Sequence, residues 1–495
     1  MGLKYIRTTE RVKKYKMMNK LFLAILIIIS ANVNAQKIFN IKDFGAKGDG
    51  NTNDAISIQK TIDACFKNGG GIVEIPAPYT FISGPLELKS NIDLHVEAGA
   101  VLKASPDELL YNSSAFGANR REGMMWISGE DIQNVSITGS GSINGNGISF
   151  MGEELEDSYE LKPFTAEDRR PHVLTIIGGK NIRIHDIHIG NSAYWTMHLA
   201  GCNDVVISGI TLLNNLKVRN SDGIDIDHSK NVRISNCFIE SGDDGICLKN
   251  RREYEKFGPC ENIVVTNCIL TSSSCAIKIG SENVDTIRRV LFNNCIIKNS
   301  NRGVGIQNRD EGVVSDVVFS NMIIECHLFS DVWWGKATPI YVTAYRRANG
   351  SSKDANLRFA KGAKEGSVGE VKNIWFNNIK CTSENGVYVS GESPDKVQNI
   401  SFDNVDVTIN KTTNLPGGIY DRRPSEVEGF VKGNTSGFYI DNAENIKIRN
   451  SSVQWGKNRP DYFKYAIDTI HVKGMEIIGF SGESAYPAKY QAIKK

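Results

Sequence analysis

The chain has 495 residues, of which 40% are hydrophobic and 23% charged, with 46 glycines and 13 prolines. That balance fits a soluble folded protein with a sizeable core and excludes a disordered or collagen-like chain. A formal charge of +2, without any long basic run, argues against a nucleic-acid partner.

Residues 1–35 read as a secretory signal peptide. Lys13, Lys14, Lys16 and Lys20 form a basic region, and Leu21 to Ile29 is an unbroken apolar run. The run is too short to span a bilayer, and Val33-Asn34-Ala35 before Gln36 supplies a cleavage site. Met17 or Met18 would serve as an alternative start. Cleavage leaves 51 basic against 55 acidic side chains, a net charge of about −4. No cysteine follows the cut, so a lipoprotein is not expected. The mature chain, 36–495, is expected to be a single domain, secreted or periplasmic and monomeric, without a membrane span.

Residues 54–67 carry apolar side chains at helical spacing, with Asp54 as candidate N-cap and Gly69-Gly70-Gly71 as terminator. They are read as a helix that caps the open N-terminal end of the fold.

Beyond this helix an irregular repeat runs along the chain. Asn or Asp is followed by alternating apolar residues, as in Asn181-Ile-Arg-Ile-His, Asp204-Val-Val-Ile-Ser and Asn231-Val-Arg-Ile-Ser-Asn-Cys. Further copies start at Asn262, Arg289, Asp316, Asn373, Asn399 and Asn445, and weaker ones at Asn91 and Asn134. Alternation with period two marks strands. Each repeat has room for two or three short strands, and none carries a crossover helix. The expected fold is therefore all-β: a right-handed parallel β-helix, a solenoid of stacked coils. Equivalent residues then form columns about 4.8 Å apart, such as Asn236, Asn267 and Asn294, or Cys237, Cys268 and Cys295. The ten cysteines form no Cys-x-x-Cys pair, which argues against zinc. They read mainly as free thiols packed in the interior. Irregular stretches near 105–125, 147–170, 325–370 and 410–435 read as loops around a groove. The last two would block one end of it and favour cleavage from chain ends.

Aligning one strand of five successive coils gives Trp195-Thr-Met-His-Leu, Asp222-Gly-Ile-Asp-Ile, Asp244-Gly-Ile-Cys-Leu, Cys275-Ala-Ile-Lys-Ile and Arg302-Gly-Val-Gly-Ile. The third and fifth positions are apolar and face inward. The first places Asp222 and Asp244 on adjacent rungs, with Asp243 alongside. Three crowded carboxylates cannot all ionise easily, so at least one stays protonated. An acid beside carboxylates is what glycoside hydrolysis needs. Gly223 and Gly245 are read as clearing space for a ligand, and Trp195 or Tyr194 as a stacking surface for a sugar. An Asp pair alone is common in turns; two aligned copies flanked by glycine are more specific.

These motifs resemble glycoside hydrolase family 28, the polygalacturonase family, over nearly the whole mature chain. Asn220-Ser221-Asp222 is similar to its Asn-Thr-Asp motif, and Ser241-Gly242-Asp243-Asp244-Gly245 to its Asp-Asp motif. Phe44-Gly45-Ala46-Lys47-Gly48-Asp49-Gly50, Arg170-Pro171 and Trp333-Trp334-Gly335-Lys336 also resemble the family. The resemblance implies an inverting hydrolase of pectic polysaccharide that needs no metal or cofactor. Asp243 would protonate the leaving oxygen, while Asp222 and Asp244 activate water. Asn220, Trp195, Lys278, Arg302, Gln307 and Tyr341 are the expected sugar contacts. Two family motifs are altered. Ser274-Cys275-Ala276 stands where Gly-His-Gly is usual, and Gly305-Ile306-Gln307 where Arg-Ile-Lys is usual. Each lost charge-assisted bond would cost about 1.5–3 kcal/mol, with Lys278, Arg302 and Arg309 nearby as candidate replacements. The substrate alternatives are therefore rhamnogalacturonan or another acidic or deoxy-sugar polymer. A polysaccharide lyase and a non-catalytic carbohydrate-binding β-helix are the remaining alternatives.

Overall fold

The computed structural model describes residues 36–116, 122–155, 160–163, 168–331, 333–347, 367–425 and 429–495, together with Tyr15, Met17 and Val427. The signal-peptide reading lies outside the described residues. No helix among them is long and apolar enough to cross a membrane. The chain divides into two compact units, Met1–Ile38 and Phe39–Lys495; the second carries the fold.

That unit is a parallel β-helix. A coil contributes three strands, for example Lys180–His185, His188–Gly190 and Met197–Ala200, and in later coils the first two run on as one, as in Val313–Cys326. The next coil repeats them as Asn203–Ser208, Thr211–Leu213 and Ile224–Asp227. Three parallel stacks result. In the first, Ile182, Val205, Val232 and Ile263 pair in register. In the second, Ile189, Leu212, Ile239 and Leu270 do. In the third, Met197, Ile224, Ile246, Ile277, Val304 and Ile340 do. All of these side chains are buried in one continuous core, and each stabilises the coil by about 1.5–3 kcal/mol. Phe292, Phe319, Phe376 and Phe402 stack through four coils at centroid spacings of 5.0, 5.0 and 5.1 Å.

The recurring Asn is explained by the corners. Asn181, Asp204, Asn231, Asn262, Arg289 and Asp316 adopt left-handed φ between 55° and 61° where the third stack turns into the first. Asn236, Asn267, Asn294, Asn321, Asn378 and Asn404 turn likewise, at φ between 53° and 56°, where the first turns into the second. Among side-chain-bearing residues Asn tolerates this region best. Its amide then bonds to the coil before, as in Asn262 Nδ2 to Asn231 Oδ1 at 2.9 Å and Asn404 Nδ2 to Asn378 Oδ1 at 2.9 Å. Cys237, Cys268 and Cys295 sit just inside this corner between the first and second stacks, buried and free of disulfides.

The capping helix spans Ala55–Lys67 with Asn68 as C-cap. Asp54 is its first flanking residue but does not cap it. Its carboxylate instead accepts from Lys47 N at 2.7 Å and Gly48 N at 3.0 Å, tying down the preceding turn. Two of the stretches expected as loops contain antiparallel hairpins, Met151–Glu154 with Leu161–Pro163 and Ile419–Asp421 with Phe430–Lys432.

Candidate active site

The site forms where the second stack turns into the third. The corner residues of successive coils are Trp195, Asp222, Asp244, Cys275 and Arg302, in the register expected from the sequence. Backbone bonds lock the rungs: Thr196 N donates to Asp222 O (2.9 Å), Gly223 N to Asp244 O (2.8 Å) and Gly245 N to Cys275 O (2.9 Å). Gly223 and Gly245 make this approach possible and do not face a ligand. A Cβ on them would lie 2.3 Å from Gly245 O and 2.5 Å from Ala276 O respectively. Serines hold the turn carrying the acidic pair. Ser272 Oγ donates to Asp243 O at 2.6 Å, Ser273 Oγ to Gly242 O at 2.6 Å, and Ser274 Oγ to Asp244 Oδ1 at 3.2 Å.

Asp222, Asp243 and Asp244 are buried, and each offers an oxygen within 4.8 Å of the others. They are the one group of acidic, His or Cys side chains among the described residues close enough to share a metal ion. Lysines supply positive charge at the same place. Lys278 Nζ donates to Asp244 Oδ2 at 2.6 Å. Lys249 Nζ lies 3.4 Å from Asp225 Oδ1, 3.8 Å from Glu282 and 4.6 Å above the Trp195 ring.

Burial and mutual repulsion govern protonation here. Burial, then the charges of Asp225, Asp243 and Asp244, push the Asp222 carboxyl well above the ordinary carboxylate range. Burial and Asp244 raise Asp243 to about 7, against the pull of Lys278 and Lys249. Asp225 is raised to about 8, chiefly by burial, with Lys249 opposing. Near neutral pH the cluster therefore retains protons. Asp222 Oδ1 is buried and accepts no hydrogen bond from the protein. Glu282 behaves oppositely: although burial disfavours its charge, Lys249, Arg347 and Arg251 hold it well below its ordinary value.

The acids open onto a cleft of about 220 Å³. Asn220, Trp195, Lys278 and Gln307 line it as expected. Asn220 turns with φ 57° and faces Arg170, whose Nη1 donates to Ala193 O and Arg219 O. Two expected sugar contacts stand elsewhere. Arg302 is 1% exposed, with its guanidinium 4.0 Å above the Tyr341 ring. Tyr341 is buried, and its hydroxyl donates to Asp421 O at 2.6 Å. Arg309, the other candidate cation, is buried against backbone carbonyls of Asn308 and Arg422. Trp195 presents little ring to the cleft, because Phe116, His172, His198 and Lys249 pack around it.

Sequence reasoning missed Lys249, Arg251, Glu282, Arg347 and Trp334, all of which line the cleft, and Asp225 beneath Lys249. Asp225 was legible as the fourth, outward position of its strand. Arg347 carried no signal, since it reaches back across coils to Asp310 and Ser281.

Residues 65–417 match the family described as glycosyl hydrolases family 28. A probable polygalacturonase of Vitis vinifera is 28% identical over 265 residues, 49% of this chain and 51% of that protein. A polygalacturonase of Persea americana is 30% identical over 218 residues, 43% of each. The chain thus spans about half the length of the curated relatives it matches. The family 28 exopolygalacturonase of Yersinia enterocolitica superposes with a TM-score of 0.67 at 19% identity, covering 89% of this chain and 78% of that one, a likeness of fold.

Proposed function

The chain belongs to glycosyl hydrolases family 28, and from that premise we propose that it hydrolyses glycosidic bonds in a pectic polysaccharide with inversion at the anomeric carbon. The observation that carries the reading is the buried carboxyl cluster Asp222, Asp243 and Asp244 opening onto a cleft.

Asp243, held protonated to about pH 7, is the general acid that protonates the leaving oxygen. Asp222 and Asp244 hold a water on the opposite face of the sugar, and Asp244, the carboxylate that Lys278 pairs with, accepts its proton. Support for this comes from Asp222 Oδ1, a buried acceptor with no protein donor; such a group is costly unless a ligand donates to it. Lys278 fixes the Asp244 carboxylate.

Cleavage from chain ends is part of the proposal. The outward column of the third stack continues past Gly305 as Tyr341, Tyr388 and Tyr439. Tyr341 and Tyr388 lie beneath the hairpin, where Tyr420 stacks on Tyr388 at 4.2 Å. A polymer has no open path over those coils. Secretion, with a mature end at Gln36, completes the reading; sequencing the N-terminus of exported protein checks it.

A product screen on pectic polymers tests the hydrolase. New reducing ends without an ultraviolet-absorbing unsaturated uronate are expected, with small products appearing while viscosity is still high. Unsaturated products would mean elimination and sink the reading. Inversion is read by nuclear magnetic resonance of the first anomer released.

A further inference from the structure

None of the ten buried cysteines is in a disulfide. Cys237, Cys268 and Cys295 alone among them occupy adjacent rungs. Backbone bonds tie their coils one above the other: Ile269 N donates to Cys237 O at 3.0 Å and Ile296 N to Cys268 O at 2.9 Å. Each thiol points the same way, toward the carbonyl two residues back, at 3.2 Å from Ser235 O, 3.3 Å from Thr266 O and 3.3 Å from Asn293 O. Identical placement on successive rungs brings the sulfurs together, and the Cys268 thiol hydrogen-bonds with both neighbours. Rungs repeat at about 4.8 Å, inside the Cα separation of about 4.4–6.8 Å that a disulfide spans.

The other corners lack this arrangement. Cys202 and Cys260 share a column, but Ser229 stands on the rung between them. Twice the rung spacing is out of disulfide reach. In the column of the three thiols, the positions before and after are Ile210 and Met322, both buried. Apolar side chains fill the column there, so packing alone does not call for sulfur on three successive rungs.

Two pairings are open to Cys268, and each excludes the other. Its hydrogen bond draws the Cys237 thiol below the ordinary thiol value, against burial. Cys237 is therefore the readiest nucleophile of the three. Cys268 is pushed up to about 12, chiefly by its contact with Cys237, and Cys295 is raised by its own contact with Cys268.

We propose that Cys237 and Cys268 are a modification site, an oxidisable pair that a disulfide oxidant converts into a staple between two coils. The Cys237 thiolate attacks one sulfur of the oxidant and expels the other as a thiolate. Cys268 gives up its proton and attacks the Cys237 sulfur of the mixed disulfide, expelling the second. The two protein thiols lose two protons and two electrons, and the oxidant gains them as two thiols. The link encloses residues 238–267, Asp243 and Asp244 among them, and stabilises by restricting the unfolded chain. It does not depend on the hydrolase reading.

For the test, the full chain is purified reduced, incubated with oxidised glutathione, denatured, alkylated and weighed. Two of the ten thiols should escape alkylation, and a peptide map without reductant should join Cys237 to Cys268. The oxidised chain should melt on the order of 5 °C higher than the reduced one. Cys268→Ser should keep every remaining thiol open to alkylation and show no such shift, whereas Cys295→Ser should still form the link. Full alkylation of the treated wild-type chain, glutathione retained on Cys237, or Cys268 joined to Cys295 instead would each overturn the proposal. The peptide map is read on the wild-type chain, so it decides whether or not a variant folds.

Discussion

At the residue scale, the decisive feature is a carboxyl that keeps its proton near neutrality. Asp243 titrates at about 7, so catalysis that needs it protonated should fall as pH rises through that value. A pH profile of kcat/KM reads this. Asp243→Asn should lower kcat about 10²- to 10⁴-fold, the worth of a general acid, while circular dichroism stays unchanged. The same shift bears on stability. Asp243 and Asp225 titrate at about 7 and 8 in the folded chain and near 4 when unfolded. The folded state thus binds more protons between these limits, and stability should fall as pH rises from about 4 to 8. Melting temperatures across that range check the sign, and a rise would contradict it. The adjacent-rung placement of Asp222 and Asp244 was legible because period-two alternation fixes a column. Lys249 and Glu282 were not, because an outward polar side chain looks the same in a string of residues whether it meets water or another charge.

At the element scale, the corners set what a coil tolerates. Gly245 lies so close to Ala276 O that Gly245→Val should cost at least about 1–3 kcal/mol through overpacking alone, read by urea unfolding. Asn378 combines φ 55° with amide bonds to Asn321 and Asn404. Asn378→Ala should cost about 1–2 kcal/mol for the left-handed backbone and about 1 kcal/mol more for a lost bond. Asn378→Gly should recover most of the first part. The strands and their stacking were readable from the Asn-led repeat. The hairpins were not, since Ile419–Asp421 and Phe430–Lys432 are too short for alternation to show. Asp54 misled for a related reason: an acid before a helix can cap it or tie the preceding turn, and local sequence does not separate the two.

At the scale of the whole molecule, the proposed cleavage from chain ends rests on the hairpin of Ile419–Asp421 with Phe430–Lys432. Replacing residues 416–433 by a short turn should uncover Tyr341 and Tyr388, and viscosity should then drop early in digestion, while Asp243-dependent cleavage persists. No early drop would mean the block lies elsewhere. The corners differ in how much chain they hold. From His185 onward the first corner is always short, as in Asp186-Ile187, Asn236-Cys237 and Asn267-Cys268. The second, between the second and third stacks, ranges from Asn301 alone in one coil to residues 410–437 in another. One residue added at the first corner would slip the register and turn inward-facing side chains outward. At the second, extra chain only rises above the cleft. Segments lengthened, shortened or exchanged at the second corner can retune which glycan is accepted, while the coils beneath keep their frame.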